Sequence, residues 1–71
     1  MRKGKSVEKR LAHNLRKWRE VKNLTQSDVS KITGITEVSI SRYETEERIP
    51  KATTAYVLAK CYGVSMDRLY D

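Results

Sequence analysis

Seventy-one residues are enough for one small domain with a core of limited size. A single cysteine excludes an intrachain disulfide, no signal peptide is read, and no apolar run approaches a membrane span, so the expectation is a soluble, cytoplasmic chain. The net charge of +6 is unevenly spread: residues 1–22 carry nine basic and two acidic side chains, residues 23–71 six basic and seven acidic. A basic segment ahead of a near-neutral body points to a polyanion, with nucleic acid the first candidate. A solubilising helix face is the bland alternative. An anionic membrane surface is a third, weakened because the apolar side of the first helix is needed for the core.

Taken in chain order, residues 1–6 (MRKGKS) show no apolar periodicity and read as a flexible basic arm. Such an arm touches phosphates or a minor groove, or does nothing. From Val7 to about Lys22 the pattern is helical, with Leu11, Leu15 and Trp18 on one stripe and Arg19 beside it. His13, Arg16 and Lys17 project away from that stripe. His13 has no second ligand spaced with it and reads as solvated, while Trp18 reads as a core anchor.

After Asn23 and Leu24, the stretch TQSDVSKITGITEVSISRYE (25–44) reads as two short helices joined at Gly34. The first spans about 26–32, the second 37–44. Thr25 and Thr36 sit where an N-cap hydroxyl is wanted. Gly34 falls where a left-handed backbone closes the first helix. Val29, Ile32, Ile35, Ile40 and Tyr43 are expected to meet across the turn. Neither helix is long enough to be stable alone, so the other helices must hold the corner. At roughly 100° per residue, Ile40, Tyr43 and Glu44 share one side of the second helix. Val38 and Arg42 lie opposite, flanked by Glu37 and Ser41. That outward face is either an ordinary solvated surface or a surface for base edges in a major groove.

Residues 45–50 form a loop that Pro50 ends. A fourth helix is expected over 52–62, with Ala52, Ala55, Leu58, Ala59 and Tyr62 turned inward. Gly63 ends it. Ser65 is expected to cap a last short helix over 66–70, with Leu69 inward. No strand alternation, repeat or low-complexity tract appears. No metal-ligand cluster, nucleophile with a base, or glycine-rich phosphate loop is present, so no catalytic residue, metal or cofactor is assigned.

These residues carry a resemblance. Leu15, Trp18 and Arg19, then LTQSDVSKITGIT, VSISRYE, Pro50 and LAKCYGVSMDRL resemble the DNA-binding domains of the phage Cro/cI-type helix-turn-helix repressors, the XRE family. The resemblance covers about residues 11–70. It implies an all-α, five-helix lambda-repressor-like domain over 7–71, with the third helix in the major groove and the second across its mouth. It places Thr36, Glu37, Val38, Ser41 and Arg42 against bases, with Arg42 suited to guanine and Val38 to a thymine methyl. It places Thr25, Gln26, Ser39, Thr45, Arg48 and Lys51 near phosphates, and makes Arg19 and Glu44 an ion pair behind the corner. The implied function is a sequence-specific regulator of transcription, a repressor, binding double-stranded DNA. A weak or DNA-assisted homodimer on half-sites one helical turn apart goes with it. The alternative is an antitoxin-like module that uses the same fold to bind a protein partner. The chain departs from the pattern at Glu46, where glycine is frequent, and at Glu47. Two carboxylates there repel phosphates, which leaves Arg48 and Lys51 as the loop's contacts. Ser30 replaces a usual alanine and Asn14 a frequent basic residue.

Overall fold

The structure is a computed structural model that describes residues 3–71, with side-chain surroundings given from Val7 onward. Five helices make up the described residues: α1 (Lys3–Val21), α2 (Gln26–Thr33), α3 (Glu37–Glu44), α4 (Ala52–Tyr62) and α5 (Met66–Tyr70). The all-helical reading therefore holds, and four of the five helices begin at the expected residue. α1 is the exception. It begins at Lys3, not Val7, because extending a formed helix adds a hydrogen bond per residue without a new nucleation cost. Lys3 to Ser6, expected in the arm, continue this helix, and Met1 and Arg2 lie outside the described residues.

Leu11, Leu15, Val29, Ile40, Ala55, Leu58, Ala59, Tyr62 and Leu69 form one buried cluster. Trp18, Leu24, Ile35 and Tyr43 pack against it half-buried. Three residues depart from the expected core. Ile32 is 62% exposed. The inward side of α2 runs from Val29 to the half-buried Thr33 four residues on, whose hydroxyl donates to the Val29 carbonyl oxygen at 2.7 Å, and Ile32 lies outside it. Ala52 is exposed at the first position of α4, where Pro50 takes the buried place. Asn14 is buried at 8% exposure, and its amide donates to the Leu69 carbonyl oxygen at 3.0 Å. With Arg10 Nε, which donates to the Tyr70 carbonyl oxygen at 3.3 Å, it closes carbonyls at the end of α5 that have no partner within that helix.

The caps explain where the helices stop. Thr25 Oγ1 accepts from the Asp28 amide at 3.0 Å while Asp28 Oδ2 accepts from the Thr25 amide at 2.9 Å, a reciprocal box. Thr36 Oγ1 accepts from the Ser39 amide at 3.1 Å. Gly34 has φ +81° and an added Cβ would meet nothing within 4 Å, so glycine is needed there for conformation and not for space. α1 ends at Val21, and Asn23 in the turn just beyond it takes a left-handed φ of 59°. Ser65 departs from expectation: it makes no side-chain cap bond, and the Arg68 amide bonds instead to the Ser65 carbonyl oxygen at 3.1 Å. No described helix is long and apolar enough to cross a membrane.

Candidate nucleic-acid interface

The corner between α2 and α3 is held from behind by a buried network. Arg19 donates from Nε to Glu44 Oε2 at 2.7 Å and from Nη2 to Glu44 Oε1 at 3.0 Å. Its third arm, Nη1, donates to the Leu24 carbonyl oxygen at 2.8 Å, tying α1 to the start of the corner. The side chains of Arg19 and Glu44 are 11% and 4% exposed, so this forked pair lies mostly out of water. The hydrogen bond to Glu44 holds the Arg19 pKa above its ordinary value. Tyr62 lies beside the pair, where burial first and the Glu44 charge second push its phenol well above its ordinary range and keep it protonated.

Gln26 joins this network. Its side-chain amide donates to Glu44 Oε1 at 3.1 Å. The sequence reading gave Gln26 only a phosphate role and missed this one. A glutamine eighteen residues from a glutamate on another helix leaves no periodic signal. One amide N–H and the carbonyl oxygen of Gln26 remain beyond this bond.

With Ile40 turned into the core, α3 presents its opposite side to solvent. Val38 is 59% exposed, and the Arg42 side chain is 51% exposed. Gln26, Glu37, Val38, Ser41, Arg42 and Glu47 line one open groove. Four of the five expected base-facing residues are therefore brought together, along with the first residue of α2. Thr36 is not among them. Its hydroxyl caps α3 and donates to Ser39 Oγ at 3.0 Å.

Of the expected phosphate contacts, Gln26 alone lines that groove. Thr25 is engaged in the cap of α2. Ser39 Oγ accepts from Thr36 and, at 3.4 Å, from Arg48 Nη1, which leaves its own proton to donate. The Thr45 hydroxyl donates to the Arg42 carbonyl oxygen at 3.3 Å. Arg48 and Lys51 line a second hollow with Tyr43, Ile49 and Thr54, at the start of α4. α4 begins without a side-chain cap, so its first amides and its positive dipole end accompany those two cations.

A helix-turn-helix family model matches residues 15–69. The chain belongs to the helix-turn-helix family. The control protein C.SmaI of Serratia marcescens is 34% identical to it over 59 residues, which is 83% of this chain and 70% of that relative. No solved structure matches. The Cro/cI-type resemblance stands, and this helix-turn-helix protein is a DNA-binding regulator of transcription whose partner is double-stranded DNA.

Proposed function

We propose that this regulator reads the major groove of its operator with the outward face of α3 and acts as a repressor by occupying that site. Residues 7–71 form the DNA-binding domain. Arg42 pairs with guanine O6 and N7, Val38 contacts a thymine methyl, and Glu37 accepts from cytosine N4, with Thr36 and Ser41 beside them. Thr25, Gln26, Ser39, Thr45, Arg48 and Lys51 hold the sugar–phosphate backbone and fix the register. A second copy occupies the symmetric half-site, as a weak or DNA-assisted dimer.

The observation that carries this reading is the single groove lined by Gln26 and the outer side chains of α3. It joins a helix start suited to phosphate with an arginine long enough to reach a base edge. The test uses a site selected from random duplexes, compared with a scrambled duplex at one salt concentration. Arg42→Ala is expected to cost about 1–3 kcal/mol on the selected site and much less on the scrambled one. Gln26→Ala is expected to weaken both alike. Equal losses for Arg42→Ala would make Arg42 a phosphate contact. No loss would remove α3 as the reading element and favour a protein partner.

A further inference from the structure

We propose that Glu47 is a positioning residue for base recognition, one that orders the Arg42 guanidinium so that its outer edge meets guanine. The proposal rests on the reading of Arg42 given above.

Glu47 Oε1 lies 3.7 Å from Arg42 Nε. A guanidinium offers N–H groups on two edges that matter here. At 3.7 Å the Glu47 carboxylate is an ion-pair neighbour on the Nε side and not a hydrogen-bond partner. The end carrying Nη1 and Nη2 remains for a planar, two-point partner such as the O6 and N7 of guanine. A carboxylate on the Nε side therefore does not compete with the base. It reduces the orientations a long, exposed side chain samples before DNA arrives.

The placement of Glu47 is built by the loop. Glu46 takes a left-handed φ of 70°, which turns the chain back over the end of α3. The Arg48 amide then bonds to the carbonyl oxygen of Arg42 itself at 3.2 Å, and Arg48 Nη1 reaches Ser39 Oγ at 3.4 Å. Glu47 lies between the left-handed Glu46 and this doubly anchored Arg48. It faces the same groove as Arg42, Val38 and Gln26. α3 itself supplies no acid one turn before Arg42, where Val38 stands. The carboxylate that meets Arg42 thus comes from the loop.

The loop acids read from sequence as a liability near phosphates. With Glu47 against Arg42, one of them acquires a use: it lowers binding to any duplex and favours the duplex that offers a guanine in place. The Glu47 side chain is 66% exposed and the Arg42 side chain 51%, so the pair adds little to stability and its loss leaves the fold intact.

The test is a cycle of wild type, Glu47→Gln, Arg42→Ala and the double variant. Each is titrated with the selected and the scrambled duplex at one salt concentration, with unfolding midpoints measured alongside. Glu47→Gln is expected to tighten scrambled DNA while lowering the selected-over-scrambled ratio about two- to fivefold, the range of an exposed ion pair. In the Arg42→Ala background the same change is expected to leave the ratio unmoved. If Glu47→Gln tightens both duplexes equally, Glu47 only repels phosphates and the proposal falls. If it lowers the ratio in the Arg42→Ala background as well, Glu47 reads a base directly and the positioning role falls. Failure of the reading beneath it looks different: Arg42→Ala alone would leave the ratio at its wild-type value.

Discussion

Glu44 accepts from three donors, two on Arg19 and one on Gln26, and its side chain is 4% exposed. A carboxylate so placed is stable only while its cation remains. Removing one partner strands a buried charge, whereas removing both removes the debt together. Arg19→Met or Glu44→Gln alone is therefore expected to cost about 3–5 kcal/mol in urea unfolding, and the double variant markedly less than the sum of the two. Simple additivity would mean that the pair does not interact. Asn14 is a second residue whose chemistry lies in its partner: its amide satisfies a carbonyl of α5 fifty-five residues away in sequence.

At the scale of the element, α2 shows how eight residues become a helix. Its amphipathic stripe is short, and its start is held by the Thr25–Asp28 box. The backbone bond from Thr25, then its hydroxyl, hold the Asp28 pKa below the ordinary carboxylate value. A depressed folded pKa contributes stability above the unfolded pKa, and that contribution is lost as pH falls through the folded value. The gap in urea midpoint between wild type and Asp28→Asn is thus expected to be largest near neutrality and to narrow below about pH 4. A gap constant with pH would show that the charge of Asp28 does not contribute. The α3–α4 loop illustrates the opposite case. Glu46 holds a left-handed backbone that favours glycine, a conformation costing on the order of 1 kcal/mol, and the Arg48 amide bond to α3 helps to hold it.

For the whole molecule, the proposed reading has charge set affinity and α3 set choice. Nine of the fifteen basic residues lie in the first 22 positions, and Arg48 and Lys51 stand at the start of α4. Binding to scrambled DNA is expected to weaken with salt along a log–log slope of about −2 to −4, as for two to four neutralised phosphates. Lys51→Ala is expected to reduce that slope by about one and to leave the preference for the selected site in place. A flat salt plot would remove phosphates as the main contacts.

The sequence by itself determined where α2 to α5 begin, the caps at Thr25, Thr36, Gly34 and Gly63, and the outward side of α3, because each rests on local periodicity or on one residue's backbone preference. Thr25, Thr36, Gly34 and Gly63 act within a turn or two of themselves, and the structure has them where those short-range rules put them. Val38 and Arg42 were legible in the same way, since the face opposite a buried Ile40 must meet solvent. The Arg19–Glu44 pair was legible only through a family pattern, because its partners lie twenty-five residues apart. Only the tertiary structure decided the rest. Periodicity marks Ile32 and Ala52 as apolar but cannot say that no neighbour covers them. Gln26, Asn14 and Glu47 are polar residues with no repeating signal of their own. Their roles follow from which helix or loop folds against them, and that is fixed by the packing of the whole chain around one core.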